Sequence, residues 1–255
     1  MAKEKKIVDI VEDDEKSSER YGKNSSGKIV KLEEKGDRKQ RATTKRIIAV
    51  VLWLVGIFFE VVGILRLNGT INWLPKCSEL AFLIGCLVLD CIAVVIGSQF
   101  WKKANHIDPA SEKNKTKFWI QNNLGSIISV IAFLPIIIFV LTNKDMDKKS
   151  KTIAAVAGIV CLLVAGISSY DFNPVSSEQL LKAEKEVTAV SADGYVYWAP
   201  TSKKYHVDPD CPAFSQSETV YKGTVKQAFE NNLTEPCRRC IPELEEDHDH
   251  EKEEE

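Results

Sequence analysis

Residues 47–65 read IIAVVLWLVGIFFEVVGIL, an apolar run that follows directly on Lys45 and Arg46. A helix needs about 20 mostly apolar residues to cross a hydrocarbon core about 30 Å thick, and this run is close to that length. Its apolar residues do not alternate with polar ones, as they would in a strand of a membrane barrel. The run therefore predicts a transmembrane helix.

Three further runs of the same kind follow. They are residues 80–96 (LAFLIGCLVLDCIAVVI), 124–141 (LGSIISVIAFLPIIIFVL) and 153–169 (IAAVAGIVCLLVAGISS). One such run could be a core helix of a soluble protein, but four in succession, each bounded by charges, indicate a polytopic membrane protein. We predict an α-helical membrane bundle of four transmembrane helices over residues 46–169. The long polar stretch before the first run does not fit a cleavable signal peptide.

Polar segments flank this bundle. Residues 1–45 are rich in Lys, Glu, Asp and Ser, and we expect a disordered cytoplasmic tail because they have too few apolar residues to form a core. Residues 170–191 predict a linker helix, since Ser176 and Gln179 have the spacing of a capping box. Residues 244–255 (LEEDHDHEKEEE) predict an acidic disordered tail. The formal net charge of −2 gives no indication of nucleic acid or of acidic substrates as partners.

Basic residues near the ends of the runs indicate the orientation. Before the first run lie Lys35, Arg38, Lys39, Arg41, Lys45 and Arg46, and in the second loop lie Lys102, Lys103, Lys113, Lys115 and Lys117. These clusters place the N-terminus and the second loop in the cytoplasm, and an even number of spans returns the C-terminus there. The third loop argues the other way with Lys144, Lys148, Lys149 and Lys151. We follow the N-terminal cluster because the first helix usually dominates, and we predict a multi-pass protein of the cell membrane with both termini cytoplasmic.

Two acidic residues, Glu60 and Asp90, lie inside the first and second runs. A charged carboxyl at the centre of a bilayer costs about 2.5 kcal/mol or more, so we expect both side chains to face the interior of the bundle. Two interpretations remain open. The pair forms an intramembrane polar site for a proton, a cation or a small solute, or it forms hydrogen bonds between helices.

The C-terminal segment carries a pattern of metal ligands, His206-x4-Cys211 followed by Cys237-x2-Cys240. Three thiolates and one imidazole suit tetrahedral zinc. The Cys-x2-Cys pair places two sulfurs on one tight turn, and a turn at residues 208–210 brings His206 and Cys211 together. Four protein ligands leave no position for water, so the predicted site is structural. The alternative is that Cys237 and Cys240 form a local disulfide or remain idle thiols.

The size of this segment favours the metal. About 50 residues bury too little apolar surface to fold securely alone, and a structural zinc ion contributes on the order of 10 kcal/mol in zinc-finger peptides. We predict a small α+β zinc-binding module over residues 192–243. Its expected elements are short strands at 195–198 and 204–207 and a short helix at 224–231.

Residues 203–243 contain KKYHVDPDC and, at their end, EPCRRCIPE. This segment resembles the metal-binding domain of Ada-type alkylation-repair proteins, and it also resembles small YH-x4-C…PC-x2-C modules appended to bacterial proteins. In the Ada-type family four cysteines bind zinc, and the first accepts a methyl group from a DNA phosphotriester. The resemblance places His206 at that first position. Because imidazole lacks the reactive thiolate, the methyl-acceptor role does not carry over, and we expect no enzymatic activity.

Three functional hypotheses follow. The first is a non-enzymatic membrane protein that displays the zinc module to a protein partner or as a sensor. The second is transport of an ion or small solute through Glu60 and Asp90. The third is a membrane-tethered, Ada-like protein that binds DNA. The third is the weakest, because acidic residues offset the basic residues of the module and the acidic tail follows at once.

Overall fold

A computed structural model of the chain describes residues 6–9, 21–23, 29–31, 35–71, 78–191, 193–214, 217 and 219–242. The chain divides into two compact units. One unit is Lys35–Ser176, and the other combines Met1–Glu34 with Ser177–Glu255. Each unit is described by itself below.

The first unit consists of four long helices: α1 (Lys35–Leu67), α2 (Glu79–Ile107), α3 (Lys115–Thr142) and α4 (Lys148–Ser169). Three of them begin at capping side chains that accept a hydrogen bond from the backbone three residues on, namely Ser78, Asn114 and Asp147. All four are long and apolar enough to cross a membrane. The prediction of four long apolar helices is confirmed.

The helices extend beyond the apolar runs. Helix α1 begins at Lys35, well before residue 46, and α2 continues to Ile107. These polar extensions pack on each other through Ala42, Ala104 and Ile107, which are buried together. Burial of this apolar cluster explains why the helices do not end where the hydrophobic runs end. Residues 35–45 are therefore helical, in contrast to the disordered tail predicted from their composition.

The outer surface of the four helices is apolar, and their interior contains small and polar residues. Leu54, Phe58, Ile131 and Ile167 each expose more than half of their side chains. The buried residues include Ala49, Ala132, Ala155, Ala165, Ser98 and Ser129. Small residues at helix interfaces allow the close backbone approach that is typical of membrane bundles.

The second unit contains short strands from both ends of the chain. Its elements are β1 (Lys6–Asp9), β2 (Tyr21–Lys23), β3 (Ile29–Lys31), α5 (Ser177–Val190), β4 (Tyr195–Trp198), β5 (Lys204–Tyr205), β6 (Thr219–Thr224), α6 (Val225–Glu230) and β7 (Glu235–Pro236). The main sheet has the order β1-β6-β4, with β1 parallel and β4 antiparallel to β6. Strands β2 and β3 form an antiparallel pair. Three strands thus lie in the segment that was predicted to be disordered.

The predicted strands and short helix of the C-terminal module are present. Helix α6 begins with a capping box, in which the Thr224 and Gln227 side chains bond to each other's backbone. Helix α5 packs on α6 and buries Leu180, Ala183 and Val187. It is thus part of the folded unit and not a free linker, because its apolar stripe covers the core of the module. The predicted acidic tail, 244–255, lies outside the described residues.

Candidate metal centre

The four predicted ligands come together in the second unit. The ligand atoms of His206, Cys211, Cys237 and Cys240 all lie within 4.8 Å of one another. The first three residues are buried and Cys240 is half-buried. Cys211, Cys237 and Cys240 are free thiols, so the alternative of a local disulfide does not describe this structure. The cluster is compatible with a tetrahedral zinc site.

His206 is fixed by backbone pairing with β4. The Tyr197 N–H donates to the His206 carbonyl (2.6 Å), and the His206 N–H donates to the Tyr197 carbonyl (2.8 Å). Its Nδ1 lies 3.7 Å from the Cys240 sulfur. With Zn–S of about 2.3 Å and Zn–N of about 2.0 Å, a tetrahedral angle gives a nitrogen–sulfur separation of about 3.5 Å. The observed separation therefore leaves room for one zinc ion between the two atoms.

The pairing of β5 with β7 joins the two halves of the site. These strands are parallel, with Tyr205 opposite Pro236, so the next residues, His206 and Cys237, lie side by side. The Cys237 N–H also donates to the Tyr205 carbonyl (2.8 Å). This contact brings the two ligand pairs together although about 25 residues separate them along the chain.

Tight turns present the remaining sulfurs. Before Cys211, the Asp208 carboxylate accepts a hydrogen bond from the Asp210 N–H (2.9 Å), and the Cys211 N–H donates to the Asp208 carbonyl (3.2 Å). In the second half of the site, the Cys240 N–H donates to the Cys237 carbonyl (3.1 Å). Both turns are the ones expected from the spacing of the ligands.

The surroundings shift the pKa values of the ligands in different directions. Burial lowers the pKa of His206 to about 4, so the imidazole is neutral near pH 7 and keeps a lone pair for a metal. Burial opposes ionisation of Cys237, but N–H groups of Arg239 and Cys240 and the two neighbouring thiols outweigh it and lower the pKa of this thiol. Burial raises the pKa of Cys240 to about 11, against the N–H groups of Val207 and Asp208. A bound divalent cation would favour the thiolate forms.

A buried ion pair attaches α5 to the cysteine turn. The Arg238 Nη1 lies 2.9 Å from the Glu186 Oε2, and the Glu186 side chain is 3% exposed whereas that of Arg238 is 42% exposed. A buried carboxylate without a partner is costly, so this pair links the fold of the module to the site. Arg238 belongs to the Cys-x2-Cys sequence but has a structural partner, which the sequence did not indicate.

Replacement of Arg238 by alanine is expected to destabilise the module by about 1–2 kcal/mol, because it leaves Glu186 buried without its cation. The matched control is Lys204→Ala, since Lys204 pairs with Glu235 at 3.3 Å in a largely exposed position. We expect less than about 0.5 kcal/mol for the control. Pulse proteolysis of the full-length protein in increasing urea measures the stability of the module in both variants. Equal urea midpoints for the two variants would contradict this role of Arg238.

The two acidic residues of the membrane runs lie inside the four-helix unit. Asp90 is fully buried and Glu60 is 5% exposed. The Asp90 carboxylate lies against Gly56 of α1, one helical turn before Glu60. In the described part of the chain, both Asp90 oxygens and the Glu60 Oε1 have no hydrogen-bond partner. Both acids thus lie in the interior of the unit, as expected.

A third polar cluster was not identified from the sequence. The His106 Nε2 lies 3.5 Å from the Asp171 Oδ2, and both side chains are buried. Nearby, Lys102 donates to the Ser168 carbonyl (2.8 Å), and Asn105 donates to the Gln121 carbonyl (3.0 Å). These contacts join the last turns of α2 to α3 and to the end of α4. The polar residues of the WIQNNLGS stretch (119–126) were a signal that this end of the bundle has a polar interior.

Comparisons with protein-family models, with curated proteins and with solved structures find no match to this chain. The resemblance to Ada-type modules is thus carried by residues 203–243 alone. Within these residues the structure provides the compact His/Cys cluster.

Proposed function

We propose that this chain is a multi-pass membrane protein whose C-terminal module is held together by a structural zinc ion and serves as an interaction or sensing element. The observation that carries the proposal is the convergence of His206, Cys211, Cys237 and Cys240 within 4.8 Å. A set of one imidazole and three thiolates favours zinc over hard cations such as magnesium or calcium. Four protein ligands leave no open coordination position, which supports a structural role.

The surface of the four-helix unit supports membrane insertion. Apolar side chains that are at least half exposed occur on all four helices, for example Phe58, Ile92, Ile138 and Ile167. Soluble monomers rarely expose continuous apolar surface on this scale, whereas lipid contact makes it favourable.

A strand pairing supports a common side of the membrane for both termini, and the basic residues support which side it is. Strand β1, near the N-terminus, pairs along its whole length with β6 of the C-terminal module. Strands can pair only within one compartment, so this contact supports an even number of membrane crossings. The basic cluster before the first helix supports the cytoplasm as that compartment.

The Ada-like hypothesis receives less support. The first ligand is His206, which cannot accept a methyl group as a thiolate does. Of the two arginines between the cysteines, Arg238 is engaged by Glu186. These features favour a protein contact over DNA repair as the role of the module.

Membrane fractionation together with reporter fusions tests the proposal. We expect the full-length protein to resist carbonate extraction, a cytoplasmic reporter fused after Glu255 to be active, and the purified protein to contain about one zinc per chain. His206→Ala is expected to lower the zinc content. A protein released by carbonate, or a C-terminal reporter active only outside the cytoplasm, would contradict the membrane arrangement.

Transport of protons or cations is a second candidate, because Glu60 and Asp90 place carboxyl oxygens without described partners inside the bundle. Proteoliposomes with an enclosed pH-sensitive dye test it. Under this hypothesis Asp90→Asn abolishes the proton flux of the wild-type protein, whereas Asp145→Asn, at an exposed position before α4, leaves it unchanged. If liposomes with the wild-type protein show the same flux as empty liposomes under both a proton gradient and a potassium gradient, the transport hypothesis is refuted.

A further inference from the structure

A groove opens at one end of the four-helix unit, where α2 ends and α3 begins. Its volume is about 550 Å³, within the roughly 300–1,000 Å³ range of small-molecule sites. Below, its polar lining residues Arg46, Asn114 and Lys117 are called the rim, and its apolar lining residues Trp101, Ile120 and Leu124 are called the wall. The groove is thus lined by both cationic and apolar side chains.

Two cations and a helix terminus make the rim attractive to an anion. No carboxylate is among the residues that line the groove. Arg46 is oriented by Asp108, whose Oδ2 lies 3.2 Å from the Arg46 Nη1, and by the Trp101 ring, whose centroid is 6.0 Å from the guanidinium carbon. Lys117 forms no ion pair with any residue in the described ranges. It lies in the first turn of α3, where the positive end of the helix dipole adds to its charge.

The apolar wall favours a lipid over a free anion as the ligand, because a lipid has acyl chains that can contact it. Ile120 and Leu124 are one turn apart on α3, and Leu124 is the first residue of the third apolar run. The groove therefore leads from the charged end of the helices onto the surface that is expected to contact lipid. Trp101 also lines the groove, and tryptophans are common at membrane interfaces. A free phosphate would contact only the polar residues of the rim and would leave the apolar wall empty.

We propose that this groove binds the headgroup of an anionic phospholipid, with the phosphate between Arg46 and Lys117 and the acyl chains along Ile120 and Leu124. The proposal rests on the membrane location proposed above. Basic pockets between transmembrane helices on the cytoplasmic side are suited to anionic headgroups, and this end of the bundle is the one predicted to face the cytoplasm.

Native mass spectrometry of the full-length protein tests the groove. The protein is reconstituted into vesicles of equimolar phosphatidylcholine and phosphatidylglycerol and extracted in mild detergent. We expect retained phosphatidylglycerol to exceed phosphatidylcholine, and Arg46→Gln and Lys117→Gln each to reduce this ratio about fivefold, the effect of one basic residue near an anionic surface. Lys117→Gln removes no described ion pair, so its effect does not depend on a change in folding. Lys149→Gln, at the exposed start of α4 and the opposite end of the bundle, is the matched control and leaves the ratio unchanged.

The following outcomes would contradict the proposed lipid site. Equal retention of the two lipids, or an unchanged ratio in both groove variants, would overturn the lipid site while leaving the membrane location intact. Displacement of the lipid by inorganic phosphate alone would assign the rim to a soluble anion and would also overturn it. A chain that does not insert into vesicles would refute both this inference and the proposed function.

Discussion

Replacement of Cys237 by serine is expected to unfold the C-terminal module while the four long helices remain folded. Cys237 and Cys211 are part of a small buried cluster with Ala199 and Val220, so the ligands are also core residues. Zinc contributes on the order of 10 kcal/mol to such domains, which is comparable to the whole stability of about 5–15 kcal/mol that a folded domain has. Loss of one ligand therefore removes most of the free energy that holds the module together.

Hydrogen exchange of the full-length protein measures this effect. Protection of β4, β6 and α6 should be lost in Cys237→Ser, and it should be lost in the wild-type protein after treatment with a strong zinc chelator. Protection of α1 to α4 should persist in both cases. Cys161→Ser in α4 is the matched control, because Cys161 lies outside the ligand cluster, and it should leave the module protected. A module that stays protected in chelator does not depend on the metal.

Replacement of Gly97 by leucine is expected to destabilise the four-helix unit by about 3 kcal/mol or more. A Cβ at this position of α2 would lie 2.9 Å from the Cδ1 and Nε1 atoms of Trp53 and 3.0 Å from the Ala49 carbonyl oxygen. Trp53 is a large buried ring and Ala49 contributes backbone, so neither can move aside cheaply. The substitution would force α1 and α2 apart at this contact.

The thermal unfolding midpoint in detergent or nanodiscs measures the loss. Gly85→Leu provides the control on the same helix, because a Cβ at Gly85 meets no atom within 4 Å. Both variants add the same side chain to α2, so their difference isolates the contact with α1 from helix propensity. A similar midpoint for the two variants would mean that α1 and α2 do not pack through Gly97.

The sequence predicted the features that depend on local spacing. Apolar runs of sufficient length predicted the four helices, and the Cys237-x2-Cys240 spacing predicted a turn with two sulfurs. The helical start at Lys35 was missed, because the apolar contacts that stabilise it, Ala42 with Ala104 and Ile107, come from a distant helix. Composition alone cannot reveal such tertiary support for a polar segment.

The four ligands were predicted to share one site, but the contacts that bring distant parts of the chain together were not predicted. The pairing of Tyr205 with Pro236, which places His206 beside Cys237, depends on a strand register that no local pattern encodes. The same holds for the ion pair of Arg238 with Glu186 and for the contact of His106 with Asp171. In each case the residue types were visible in the sequence, but their partners lie more than 30 residues away.

Zinc K-edge X-ray absorption of the purified full-length protein tests the ligand set most directly. We expect one zinc per chain with three sulfur ligands at about 2.3 Å and one nitrogen ligand at about 2.0 Å. In His206→Ala the zinc content should fall, and any zinc that remains bound should lack the nitrogen contribution. A zinc-free protein, or a spectrum dominated by oxygen ligands, would contradict the assignment of His206, Cys211, Cys237 and Cys240 as a structural zinc site.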